Sequence, residues 1–164
     1  MSFPSEGVYR GMITPDTLVG PEPGTVSVAA FQFKSNQNRS DDSEECSVNW
    51  IDDDYAIVNL ASQVKVDRKT NEIYRQFRIG ACQISLNQLD SVKAKYPSCF
   101  SYERAPKEHE ENGNGPNPYH GNLLFLDPSQ EGASVLKRQV QSVLAYMADV
   151  FIPRSELDKM VSGA

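Results

Sequence analysis

The clearest periodic feature of the chain is an apolar stripe that predicts a helix over residues 132–151. Its members recur at the three- and four-residue spacing of one helix face: Leu136, Val140, Val143, Leu144, Met147, Val150 and Phe151. Burial of seven such side chains contributes on the order of 10 kcal/mol before chain entropy is subtracted. We therefore expect this helix to pack against the rest of the fold, with Pro153 beyond its end.

Two shorter helices are predicted from their start signals. The aspartates at residues 52–54 favour a helix start, and apolar residues follow at helical spacing in the segment 57–64. Ser85 is a typical cap for a second helix, which must end before Pro97. The remaining residues, 153–164, are predicted to form a short helix or a tail.

Alternation with a period of two predicts five strands. They cover residues 8–13, 26–34, 73–86, 98–104 and 119–127. The segment 26–34 is apolar on both faces and is therefore predicted to be a central strand. Residues 35–45 and 105–118 are polar or rich in proline and glycine, which is typical of loops.

These elements predict an α+β domain over residues 1–152. We expect a mostly antiparallel sheet of about four to five strands, with two to three helices packed on one face. No apolar run approaches the roughly 20 residues that a membrane helix requires. The first residues lack the basic flank and apolar segment of a secretory signal, so we expect a cytoplasmic protein without membrane partners.

Charge and cysteine content narrow the possible partners. Sixteen basic and 22 acidic residues give a net charge of −6, which argues against nucleic acid as a direct ligand. The three cysteines, Cys46, Cys82 and Cys99, lack the paired spacing of a zinc site and are predicted to be free thiols, with Cys82 and Cys99 inside. The sequence predicts neither a metal nor a cofactor.

His120, at the junction of a loop and an apolar strand, allows two interpretations. It is either a general base, oriented by Glu103 or Asp127, or a structural residue that donates to a loop carbonyl. Together with His109 it matches the two-histidine acid/base pair of metal-free ribonucleases. His109, however, lies in an acidic loop.

A second set of residues resembles the arginine-type ADP-ribosyltransferases. The tripeptide "YRG" contains Arg10, Ser35 follows "FQFK", and "EHE" ends at Glu110. This resemblance implies that Arg10 holds NAD and that Glu110 is catalytic. If the protein is an enzyme, the best candidate residues are therefore His120, Arg10 and Glu110, and the substrate is a nucleotide or RNA.

A partner-binding surface is the competing hypothesis. Residues 41–54 contain seven acids and no base, and they include the single tryptophan, Trp50. Trp50 either packs under the following helix or anchors a partner, because interface hot spots are enriched in tryptophan, tyrosine and arginine. The predicted surface consists of Trp50, Asp52, Asp53, Asp54, Tyr119 and His120.

Two short motifs resemble those of a group of short bacterial accessory proteins. The first is Ser-Val-x-Trp at residues 47–50, and the second is Asn-Pro-x-His at residues 117–120, some seventy residues later. Such proteins tend to be encoded beside larger effectors of conflict and antiphage systems. The resemblance implies a non-enzymatic adaptor that binds a larger effector encoded nearby. That is the main function predicted here, and the enzyme is the alternative.

Overall fold

The computed structural model describes residues 6–18, 25–148 and 150–162. The helices are α1 (Tyr55–Ser62), α2 (Leu86–Lys95), α3 (Ala133–Met147) and α4 (Arg154–Ser162). The strands are β1 (Gly7–Met12), β2 (Lys34–Ser35), β3 (Glu44–Trp50), β4 (Val64–Val66), β5 (Ile73–Arg75), β6 (Gly80–Ser85), β7 (Phe100–Arg104), β8 (His120–Phe125) and β9 (Val150–Pro153). Short 3₁₀ turns lie at Pro15–Thr17 and Val28–Ala30.

Seven strands form one antiparallel sheet in the order β7-β8-β3-β1-β6-β9, with β2 paired to β3. The other two strands, β4 and β5, form a separate hairpin. The predicted α+β class is confirmed. The sheet is larger than the predicted four to five strands, because β2, β3 and β9 were not recognised in the sequence.

The sheet has two faces with different side chains, since successive residues of a strand point to opposite sides. We call the first face the side that carries Val48 and Trp50 of β3 and Phe125 of β8, where α2 and α3 complete the main apolar cluster. The second face carries the alternate residues of the same strands. They are Glu45, Ser47 and Asn49 of β3 and His120, Asn122 and Leu124 of β8.

Helices cover both faces, so the prediction of helices on one face is wrong. On the second face, α1 and α4 form a smaller cluster that includes Leu60, Leu157 and Ala81. The neighbour of Ala81 on β6, Cys82, is buried in the main cluster on the opposite side. A strand that is apolar on both sides needs cover on both sides, which one layer of helices does not provide.

The predicted central strand at residues 26–34 is also wrong. Val28–Ala30 form a 3₁₀ turn that Ser27 caps through the N–H of Ala29. The apolar pattern correctly indicated burial, since Phe31 and Phe33 lie in the main cluster. The segment nevertheless does not enter the sheet before Lys34, because the turn packs its apolar side chains against α3.

Two other strand boundaries differ from the prediction. The segment 73–86 is divided into β5 and β6 by residues 76–79. Val150 and Phe151, which were predicted to end the long helix, lie in β9 instead, and Phe151 pairs with Cys82. Helix α3 ends at Met147, because the residues predicted to form its last turn pair with the sheet instead. The apolar stripe therefore overstated the length of the helix.

The other predicted elements are present. The helices expected after residues 52–54, after Ser85 and in 132–151 all form, and Ser85 and Gln88 make a capping box. The predicted C-terminal helix forms as α4, with Leu157 fully buried. All three cysteines are free and buried. Among the described helices, none combines the length and apolar character needed to cross a membrane.

Candidate functional site

A cleft of about 970 Å³ lies on the second face of the sheet. Its floor includes Ser47 of β3. Its walls are Gln32 with residues 34–38, the side of α1, the start of β4, and Lys107 with residues 111–117. The volume is at the upper end of the range of roughly 300–1,000 Å³ that is usual for ligand sites. The main cluster on the first face supports the sheet beneath it.

Arg10 lies where the sheet is interrupted. β1 and β2 pair with opposite ends of β3 along the same edge, which leaves a break opposite residues 46–48. The Nε of Arg10 donates to the carbonyl of Ala30 and its Nη1 to the carbonyl of Ser47, both at 2.8 Å. The guanidinium therefore replaces a missing strand hydrogen bond at the carbonyl of Ser47 and forms a fixed part of the cleft lining.

Side-chain amides dominate the lining of the cleft. Ten of its 28 residues are asparagine or glutamine. Four of the ten lie in the segment before β3, namely Gln32, Asn36, Gln37 and Asn38, and three lie in the loop before β8, namely Asn112, Asn114 and Asn117. Each amide offers both donors and an acceptor, so the cleft is suited to a ligand with many hydrogen-bonding groups.

A buried network of amides fixes one corner of the cleft. Asn117 donates to Asn49 at 2.9 Å, and Asn49 donates to the carbonyl of Ala56 and to the side chain of Asn59. Gln63 donates to the same oxygen of Asn59. This network joins the loop before β8, β3 and α1, so Asn117 of the Asn-Pro-x-His motif has a structural role.

His120 lines the cleft as the first residue of β8. Its Nδ1 lies 2.8 Å from the carbonyl of Ala105, which can only accept, so Nδ1 carries the proton and Nε2 is the acceptor in the neutral ring. Burial lowers the pKa of His120 below its ordinary value of 6.5, although the hydrogen bond to Ala105 acts in the opposite direction. The ring is therefore neutral at pH 7.

Arg39 connects the loop before β3 to the sheet. Its guanidinium contacts Glu45 and Glu103 at 2.7 Å and Asp41 at 3.0 Å. Glu103 also accepts from Asn122 at 2.9 Å. The hydrogen bond from Arg39 to Glu103 is the main reason why the pKa of Glu103 is lowered. A separate hydrogen bond from Arg39 to Asp41 holds the pKa of Asp41 at about 2.

Trp50 does not form the exposed anchor that one hypothesis required. Only 3% of it is exposed, and its Nε1 donates to the carbonyl of Glu103 at 3.2 Å. Its ring contacts Tyr102 and the guanidinium of Arg104. It also packs directly on Gly121, where a Cβ would lie 2.1 Å from Nε1. Trp50 therefore belongs to the core, but to the cluster of the first face and not to the cluster under α1, where the other interpretation placed it.

The acidic part of the predicted surface is largely engaged within the chain. Asp52 makes a bidentate pair with Arg104, at 2.7 Å for both bonds. Asp53 accepts from the hydroxyl of Tyr119 and from the first N–H of α1, as the predicted helix start requires. Burial and Asp53 raise the pKa of Tyr119 to about 12. Of the three aspartates, Asp54 is exposed and does not cap the helix.

The structure brings together only part of each candidate catalytic set. His120, Arg10 and Ser35 line the cleft, whereas His109 and Glu110 are exposed and are not among the described residues that line it. The two carboxylates expected to orient His120 also have other positions. Glu103 binds Arg39, and Asp127 is exposed and bonds Ser129.

The residues that sequence reasoning missed are the amides and Lys34, Glu45 and Lys65. Their signal was present in "QFKSNQN" and "NGNGPN". The first segment was predicted as the end of a strand followed by a polar loop, and the second as part of a loop rich in proline and glycine. Two amide-rich loops that flank strands of one sheet are candidates for one site. Their convergence depends on the strand order, which the sequence did not provide. Within the described residues, no group of three or more His, Cys, Asp or Glu side chains is placed to hold a metal ion.

Comparison of the chain with models of protein families, with curated proteins and with solved structures gave no match.

Proposed function

We propose that this protein is a non-enzymatic adaptor whose cleft binds an extended segment of a partner protein. The observation that supports the proposal is the amide-rich lining of the 970 Å³ cleft. As the resemblance to bacterial accessory proteins implies, the expected partner is a larger effector encoded nearby, in the cytoplasm and as part of a defence system.

The chemistry of the lining matches a peptide backbone. An extended peptide presents alternating N–H donors and carbonyl acceptors, and each must be satisfied when it leaves water. Asparagine and glutamine supply a donor and an acceptor from the same group. Exposed amides such as Gln32 and Gln37, which make no hydrogen bond to another described side chain, are available for this role.

A nucleotide fits the lining less well than a peptide. Phosphate groups favour helix N-termini, but α1 begins after three aspartates, two of which are exposed. Base recognition also relies on stacking against aromatic rings. Among the described lining residues, Tyr55 is exposed at the cleft, whereas Phe77 is buried and His120 is partly buried.

The protein–peptide proposal is tested by selection from a displayed library of random peptides on the full chain. Selected peptides should lose binding to Gln32→Trp, which places a bulky side chain in the cleft. They should retain binding to Gln139→Trp, a matched change at an exposed position of α3. Failure to select any peptide, or equal binding by both variants, would contradict the proposal.

A second candidate function is an enzyme acting on a nucleotide or RNA. It is favoured by one observation, that the acceptor-bearing imidazole of His120 and the fixed guanidinium of Arg10 line the same cleft. Incubation of the purified protein with NAD and with single-stranded RNA tests it. Turnover that His120→Ala abolishes and Gln139→Trp leaves intact would establish the enzyme and overturn the adaptor.

A further inference from the structure

We infer that the segment bound in the cleft is acidic and that Arg10, Lys34 and Lys65 recognise its carboxylates. This inference rests on the proposed peptide-binding function and assigns the charge of the ligand. It concerns a cationic strip made of one residue from the floor of the cleft and one from each of two walls.

The cleft has the opposite charge balance to the chain as a whole. Its described lining contains four basic residues, Arg10, Lys34, Lys65 and Lys107, and two acidic ones, Glu45 and Glu111. The full chain has a net charge of −6. A positively charged cleft attracts anionic groups, even when the protein as a whole is acidic. An acidic partner is therefore repelled less at the cleft than at the rest of the surface.

The two carboxylates of the cleft are already paired. Glu45 contacts Arg39 at 2.7 Å, and Glu111 lies 3.5 Å from Lys107. Lys34 and Lys65 form no ion pair with any residue that the structure describes. Both are exposed, Lys34 on β2 and Lys65 on β4, at separate walls of the cleft. Their charges are therefore available to a ligand.

Arg10 provides the fixed member of the strip. Arg10 uses two of the five N–H groups of its side chain in hydrogen bonds to the carbonyls of Ala30 and Ser47. Those bonds hold the guanidinium at the floor before any ligand arrives, so little side-chain entropy is lost when a carboxylate binds. The neutral ring of His120 adds no charge, and its Nε2 can accept an N–H from the peptide.

Lys65 is held in place by the hairpin that carries it. The amide of Asn114 both accepts from the N–H of Val64 and donates to its carbonyl, at 2.8 and 3.0 Å. Arg75, the register partner of Val64, donates to the carbonyl of Ser62 at 2.7 Å. The base of the hairpin is thus fixed against α1 and the loop before β8, and Lys65 extends from a rigid support.

The experiment compares selected peptides with synthetic analogues in which every Glu and Asp is replaced by Gln and Asn. All peptides are acetylated and amidated, so that only side-chain charge differs. We expect the neutral analogues to bind the full chain about tenfold more weakly, and the difference to shrink in high salt. Affinities are measured by isothermal titration calorimetry.

Variants of the protein identify the cations responsible. Lys34→Gln and Lys65→Gln should each weaken the acidic peptides by roughly two- to fivefold, as expected for exposed charge pairs, and leave the neutral analogues unchanged. Lys69→Gln, an exposed lysine at the turn of the same hairpin and outside the cleft lining, is the matched control. Arg10 is not substituted, because it also fills the break in the sheet.

The outcomes separate this inference from the proposed function. If peptides bind in a manner that Gln32→Trp abolishes, but neutral analogues bind as tightly as acidic ones, the charge assignment is overturned and the adaptor proposal remains. Equal losses for Lys34→Gln and Lys69→Gln would also overturn it. If no peptide binds, the proposed function itself fails.

Discussion

The two faces of the central strands contrast sharply, although the same strands build both with alternate residues. On the first face, β3 and β8 present Val48, Trp50 and Phe125 to a closely packed apolar cluster. On the second face, the alternate positions present Ser47, His120 and other polar groups to a cleft. The contrast shows how one strand can supply stability with one set of alternating positions and a binding floor with the other set.

The largest loss of stability is expected from a substitution that leaves a cavity in the first face. Phe125→Ala removes a fully buried ring and should lower the free energy of unfolding by about 3–5 kcal/mol. Gln37→Ala, at an exposed position of the cleft, should change it by less than about 0.5 kcal/mol. Urea denaturation of both variants measures the difference. Similar losses of stability in the two variants would mean that side chains of the cleft contribute to the core as much as those of the first face do.

The next effect concerns Gly121, where the first face leaves no room for a side chain. Gly121→Ala should cost about 1–3 kcal/mol, because its Cβ would meet the indole of Trp50. Gly115→Ala places the same methyl group in open space in the cleft wall and should be nearly neutral. Thermal unfolding gives the two stabilities, and tryptophan fluorescence should change in the first variant alone. An unchanged spectrum for Gly121→Ala would contradict the packing.

A smaller effect is expected at the charged network of the second face. Arg39→Met leaves Glu45 and Glu103 without their shared partner and should cost about 1–2 kcal/mol at pH 7. Because the pKa of Glu103 is lowered in the folded protein, this stabilisation is complete above its ordinary value of 4.5 and is lost as the pH falls through the lowered pKa.

Unfolding of the wild type and of Arg39→Met between pH 7 and pH 3 checks this prediction. The two stability curves should approach each other as the pH falls below 4.5, because Glu103 is progressively protonated and its ion pair with Arg39 is lost. A constant difference across that range would show that Arg39 acts through packing of its aliphatic part and not through charge.

The smallest effect is the pH response of His120. Its pKa is lowered by burial, so the unfolded chain binds a proton at a higher pH than the folded protein does. The wild type should lose stability as the pH falls from 6.5 to the lowered pKa and then level off. His120→Gln should lack this slope. Unfolding free energies at half-unit steps test it, with a titration of the His109 and His120 ring signals by NMR as an independent measure. Identical slopes would place His120 in contact with solvent.

Local sequence patterns gave correct predictions where a single type of side chain determines an element of structure. The stripe beginning at Leu136 predicted the longest helix, Ser85 predicted the start of α2, and the cysteines in apolar runs were predicted to be buried. The pattern gave a wrong prediction where residues are buried but do not pair in the sheet. Val26, Ala30, Phe31 and Phe33 are buried, yet they lie outside the seven-stranded sheet, because periodicity records burial and not the partner of a hydrogen bond.

The candidate site was predicted only in part, since its residues come from distant segments. His120 and Arg10 were recognised singly, but their common cleft and the break in the sheet that Arg10 fills depend on pairing between strands far apart in sequence. The hypothesis of an exposed Trp50, one of the two interpretations of this residue, failed for a related reason. A tryptophan between acidic runs has a polar sequence context, but β3 turns its side chain towards the first face.

The sequence by itself determined the α+β class, the helix starts and the burial of Cys82 and Cys99, because these depend on spacing and on side-chain chemistry within a few residues. The order of strands, the division into an apolar and a polar face, and the meeting of two amide-rich loops above Ser47 were decided by the tertiary structure. Non-local strand pairing brings those groups together, and no local pattern specifies which strands will be neighbours.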